Sequence, residues 1–86
     1  MVWKKTLARV LRGTSDDSLR FDEVRSLRKH LGFEERMRGG HHIFTRGEVE
    51  EILNLQPRGA MAKAYQVKQV RDVIARYRLA KDNNAS

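Results

Sequence analysis

A chain of 86 residues makes one domain, and without a cysteine it can build neither a disulfide framework nor a cysteine-ligated zinc site. Eighteen Lys and Arg against eleven Asp and Glu leave a net charge of +7, so the expected partner is a polyanion such as RNA, DNA or an acidic protein. No apolar run approaches the ~18 residues of a membrane span, and the charged start lacks a signal peptide's apolar core, so a soluble cytoplasmic protein with no membrane partner is expected.

Trp3, Leu7, Val10 and Leu11 recur at helical spacing among Lys4, Lys5, Arg9 and Arg12. That pattern predicts a short basic helix over 2–12, closed by Gly13. Thr14 to Ser18 is polar and reads as a connector. A second helix is expected with Asp22 as its N-cap, Val24, Leu27 and Leu31 as its buried stripe, and Gly32 in a left-handed position past its end. Arg25, Arg28, Lys29 and His30 fall late in it, where positive charge suits the helix dipole.

After Gly32 the period changes to two. Phe33, Glu35 and Met37 share one face of a predicted half-buried strand, while Glu34, Arg36 and Arg38 share the other, basic face. Gly39-Gly40 supplies a two-residue hairpin turn, since positive φ costs glycine nothing. His41 to Thr45 forms the second strand, Arg46-Gly47 a turn, and Glu48 to Gln56 the third strand, with Val49, Leu53 and Leu55 facing one way. Ile52 breaks that alternation and points to a bulge or a partly covered second face. Pro57 ends the sheet, and 58–63 is a loop. Val67, Val70, Ile74 and Tyr77 then mark the last helix, with Lys68, Arg71, Arg76 and Arg78 facing away; residues 80–86 form a polar, frayed tail.

The order helix, helix, strand, strand, strand, helix gives an α+β class. A three-stranded antiparallel sheet carries helices on one face, and the first helix is an addition docked at the side.

Reactive side chains are few. No serine lies in a Gly-x-Ser-x-Gly setting, and Gly39-Gly40 leads into a strand where a phosphate-binding loop would lead into a helix. Glu34, Glu35, Glu48, Glu50 and Glu51 read as solvated or ion-paired groups. Histidine remains, with a pKa suited to proton transfer near neutrality. His30 sits at a basic helix end, in a structural setting. His41 and His42 are adjacent on a strand, so they face opposite ways and do not readily chelate one ion. One belongs to the basic outer surface, and the other packs toward the helices or the sheet edge, with Phe44 on its side.

Leu31-Gly32-Phe33, the run Arg38-Gly39-Gly40-His41-His42-Ile43-Phe44, and Tyr65-Gln66-Val67-Lys68-Gln69-Val70-Arg71 together resemble the HicA toxin family. The resemblance covers about 21–79 as a HicA-like core and leaves out the first helix. It implies a double-stranded-RNA-binding-like fold and a metal-independent endoribonuclease that cleaves mRNA. It also implies the toxin half of a type II toxin–antitoxin pair, restrained by a HicB-type antitoxin and using no cofactor. The family's catalytic histidine corresponds to His41 and its turn glycine to Gly39; Gly40 stands where the family usually carries serine.

Cleavage without a metal needs a base for the attacking 2′-hydroxyl, an acid for the leaving oxygen, and positive charge at the phosphate. His41 is the expected base or acid, Arg36 and Arg38 are expected to hold phosphates, and Lys63 and Lys68 to extend that RNA-binding surface. Two readings compete: a non-catalytic RNA-binding module of the same fold, and a basic domain that docks an acidic protein.

Overall fold

The computed structural model describes residues 2–80. Its elements run α1 (Val2–Arg12), α2 (Phe21–His30), β1 (Glu34–Arg38), β2 (His41–Arg46), β3 (Val49–Leu55) and α3 (Ala64–Arg76). The strands form one antiparallel sheet in the order β1-β2-β3. This is the expected α+β arrangement with an additional N-terminal helix. Of the predicted 80–86 tail, residues 81–86 lie outside the described residues. No described helix is long and apolar enough to cross a membrane.

One face of the sheet is covered and the other is open. Phe33, Phe44, Val49, Leu53 and Leu55 join Val24, Leu27 and Leu31 and the α3 residues Val67, Val70, Val73 and Ile74 in one buried cluster. Phe44 is 1% exposed at its centre, as a strand residue facing two helices must be. On the open face stand Glu34, Arg36 and Arg38 of β1, and Glu50, Ile52 and Asn54 of β3, all exposed.

Sequence signals at the ends of α2 explain where it starts and stops. Arg20 is the N-cap, not Asp22. Glu23 accepts a hydrogen bond from the Arg20 backbone N–H at 2.9 Å, so a carboxylate in the first turn supplies the capping that a short polar side chain would otherwise supply. At the other end Gly32 adopts φ +85°, and the N–H groups of Phe33 and Gly32 donate to the carbonyls of Arg28 and Lys29. That double bond pattern ends a helix on a left-handed residue and turns the chain into β1. Arg46, expected in a turn, instead ends β2 and donates from Nη1 to the Leu31 carbonyl at 2.7 Å. A guanidinium there also meets the negative end of the α2 dipole.

Further expectations give way. α1 is no side addition: Val10 is fully buried and Leu7 nearly so, in the same core cluster, and the helix packs against α2 and α3. Leu11, assigned to its stripe, is 42% exposed. Met37 lies on the covered face by alternation but at the hairpin end, and it is 61% exposed. β1 begins at Glu34 and β3 runs only from Val49 to Leu55, so Phe33, Glu48 and Gln56 flank the strands. Arg71 does not face solvent; it donates from Nη1 and Nη2 to Asp16 at 2.8 and 3.0 Å and from Nη1 to the Val10 carbonyl at 3.1 Å. It ties α3 to the end of α1.

The anomaly at Ile52 is a register shift. Phe44 pairs with Leu53 but Arg46 pairs with Val49, so β3 carries extra residues between those rungs. Ile52 sits in that stretch and is 66% exposed.

Candidate functional site

The hairpin decides the fate of both histidines. Gly39 and Gly40 take φ +55° and +82°, the paired positive values of a tight two-residue turn, and no atom crowds the place of a Cβ at either. Register then follows directly. Arg38 pairs with His41, Met37 with His42 and Arg36 with Ile43. Paired residues share a face, so His41 stands on the open face beside Arg38, with Arg36 further along the same strand.

His41 is half-buried, and its Nδ1–H donates to Asn54 Oδ1 at 2.8 Å. Asn54 is the β3 partner of Ile43, which makes it the diagonal neighbour of His41. In the tautomer whose Nδ1–H donates to Asn54, Nε2 is the ring nitrogen that can accept a proton. Arg36 and Arg38 are exposed beside it. The open face therefore offers an oriented proton acceptor among guanidinium groups.

His42 points the other way, as the alternation requires. It is buried, its Nδ1–H donates to Glu35 Oε2 at 2.6 Å, and its ring meets Phe21 edge-on at 4.7 Å. The Glu35 side chain is only 7% exposed and also accepts from Arg25 Nε and Nη2 at 2.8 and 3.0 Å and from Arg28 Nη2 at 3.1 Å. The hydrogen bonds from Arg25 hold the Glu35 carboxyl below the usual range against the opposing cost of burial, and His42 and the charge of Arg28 add to them. In turn, Glu35 raises the Arg25 guanidinium above its ordinary value. This cluster pins β1 and β2 to α2 from beneath.

The end of the molecule that carries the hairpin also carries the start of α3. Lys63 is the N-cap of α3 and Lys68 lies exposed in its second turn. Gln66, 3% exposed, faces Gln56 just past β3, and with its amide oriented to satisfy both groups it donates to the Gln56 carbonyl at 3.0 Å and accepts from its N–H at 3.1 Å. Two bonds thereby fix the α3 N-terminus to the strand that holds Asn54. Beside Lys63 a groove of about 490 Å3 is lined by Asp17, Arg58, Met61, Ala62, Lys63, Ala64 and Tyr65.

Of the residues singled out from sequence, Gly39, Gly40, Arg38 and His41 come together at the hairpin and Arg36 lies on the same face. Lys63 and Lys68 belong to α3, away from that sheet face. Asn54 was missed, because its place beside His41 depends on the β2–β3 register. His30, assigned a structural place, stacks on Trp3 with ring centroids 4.5 Å apart. Among the described residues no three His, Asp or Glu side chains gather in a way that could hold a metal ion. Comparison with family models, curated proteins and solved structures finds no match for this chain.

Proposed function

We propose that this chain is a metal-independent endoribonuclease that cleaves mRNA in the cytoplasm, the toxin of a HicA-type toxin–antitoxin pair held in check by a HicB-type antitoxin. The observation that carries the reading is the His41–Asn54 hydrogen bond, which leaves Nε2 free on an open face next to Arg36 and Arg38. His41 Nε2 takes the proton of a ribose 2′-hydroxyl; the 2′-oxygen attacks the adjacent phosphorus, and the bond to the 5′-oxygen breaks as that oxygen takes a proton from solvent water, to which the His41 imidazolium then returns its own. Arg36 and Arg38 hold the phosphate and offset its developing charge. Lys63 and Lys68 bind flanking RNA. An antitoxin inhibits most simply by covering His41 and its arginines. The α-β-β-β-α order of the core is compatible with a double-stranded-RNA-binding-like fold.

A second reading, a binding module of that fold without cleavage, draws on the outward neighbours of His41. Asn54 and Arg38 flank it, and neither is a carboxylic acid that would serve as the second proton-transfer group. Incubating a long single-stranded RNA with the purified chain in chelator separates the two. New RNA ends with wild type and none with His41→Ala, at nearly equal RNA affinity, is the expected result. Full cleavage by His41→Ala sinks the role of His41; binding without cleavage by wild type selects the second reading.

A further inference from the structure

The groove at the start of α3 brings two cations and an exposed aromatic ring into one concavity. Arg58 and Lys63 line it with no ion-pair partner among the described residues, and Tyr65 is 60% exposed along it. Most other arginines near the core are engaged: Arg25 and Arg28 by Glu35, Arg71 by Asp16, Arg76 by Glu51. Two uncommitted cations beside an exposed aromatic ring in one concavity are the elements of single-stranded nucleic-acid binding, where phosphates meet positive charge and bases stack on rings.

The local build adds to this. α3 has no acidic residue in its first turn, and no side chain caps its N-terminus, so the free N–H groups there and the helix dipole act in the same sense as Arg58 and Lys63. The groove floor is braced by backbone hydrogen bonds. Arg58 and Met61 exchange backbone hydrogen bonds in both directions at 2.9 and 3.0 Å, Ala62 donates to the Leu19 carbonyl, and Gln66 locks the following turn to Gln56. Its volume of about 490 Å3 falls within the span of small-ligand clefts, roughly 300–1,000 Å3. Asp17 on the wall can accept from the amino and hydroxyl groups of a nucleotide, donors that the acceptor-only side chains of an acidic peptide lack.

We propose that this groove is a nucleotide subsite for single-stranded RNA, with one base stacked on Tyr65 and its phosphate held between Arg58 and Lys63. The inference rests on the RNA reading of the chain and extends it to a second place, reached from the His41 face around the end of β3. The role of the groove is to grip RNA flanking the reacting bond, so its loss acts on affinity and KM rather than on kcat.

The test is fluorescence anisotropy with a labelled 2′-O-methyl RNA octamer, which is resistant to cleavage, on the full chain and its variants. Tyr65→Ala is expected to weaken binding about tenfold and Tyr65→Phe to leave it near wild type, as base stacking requires of a ring without regard to its hydroxyl. Arg58→Gln combined with Lys63→Gln is expected to flatten the dependence of log affinity on log salt by about 0.7, one phosphate's worth on a single strand. Because the three side chains are exposed or partly so, thermal melts should match wild type. Wild-type affinity and salt slope in these variants overturn the inference, as does tighter binding of a poly-glutamate peptide than of the octamer. Failure of the nuclease reading is separate: it appears as Tyr65-dependent binding without RNA cleavage by wild type.

Discussion

Glu35 and His42 meet through a 2.6 Å hydrogen bond on the covered face of the sheet, while His41, one residue earlier, stands on the open face bound to Asn54. Each histidine thus gives its Nδ1 proton to a partner, but only one does so where a polymer can reach it. Alternation separates the two roles. His42 spends its proton on a carboxylate that also takes Arg25 and Arg28, so four charged or polar side chains join two strands to one helix. That frame holds the hairpin on which His41 is carried.

Replacing Glu35 with Gln should therefore damage the frame. The change leaves two guanidinium groups and an imidazole facing a neutral amide that cannot accept from all of them. Removing one partner of a buried pair costs about 3–5 kcal/mol, and because Arg25 is 41% exposed and can turn to water, roughly 2–4 kcal/mol is expected here. Urea unfolding followed by circular dichroism measures it. A loss below about 0.5 kcal/mol, the range of ordinary surface substitutions, contradicts the role assigned to Glu35.

Acid should act on the same contact. The folded-state value of Glu35 is lowered, chiefly by its hydrogen bonds to Arg25. A carboxyl of that kind adds stability that is fully present above its unfolded value, near ~4.3, and is lost as pH falls through that value toward the lower folded one. The stability gap between wild type and Glu35→Gln should thus be wide at neutral pH and close on acidification below the ordinary glutamate range. A gap that stays constant to pH 3 would show that the charge of Glu35 is not what stabilises the fold.

Asn54 makes a sharper test of the open face. Asn54→Leu removes the acceptor of the His41 Nδ1–H and frees the ring to rotate and to change tautomer. Because Asn54 is exposed, the fold should persist. On the proposed ribonuclease reading, kcat toward RNA is expected to fall about 10–100-fold while KM stays within about twofold, since a misoriented base would lose part of the usual 10²–10⁴-fold contribution. A raised KM with kcat unchanged in Asn54→Leu would place Asn54 in substrate binding instead.

The parts of this site legible in the sequence were local ones. Gly39-Gly40 announces a two-residue turn, strand alternation then separates His41 from His42, and Phe44 shows which side is inward. What escaped was set by distant chain. Asn54 reaches His41 only because a bulge re-registers β3 beyond Phe44, and nothing in Glu50-Glu51-Ile52 states how many residues it absorbs. Arg20 gives no sign of being a cap, because the capping group is Glu23, three residues on. Met37 alternates correctly but lies where the covering helices have ended.

Arg71 gives the clearest case of a distant partner, and its loss can be predicted in full. On helical spacing it stands off the apolar stripe of α3 and reads as a solvent-facing cation. In the folded chain the α1–α2 connector returns over it, so that Asp16 takes two of its N–H groups and the Val10 carbonyl, in the last turn of α1, takes a third. The hydrogen bonds from Asp16 raise the Arg71 guanidinium above its ordinary value. Both side chains of the pair are 21% exposed, so the interaction is partly desolvated and exceeds an open surface pair. Arg71→Met keeps much of the aliphatic stem but abandons the carboxylate and the carbonyl, and a loss of about 1–3 kcal/mol is expected. Asp16→Asn should cost less, because the bond to Val10 survives. Hydrogen exchange locates the effect: amides of α1 should lose protection in Arg71→Met before those of the sheet do, as the helix loosens from α3. Uniform loss across α1 and the sheet would mean instead that α1 unfolds only with the whole core, in keeping with the complete burial of Val10.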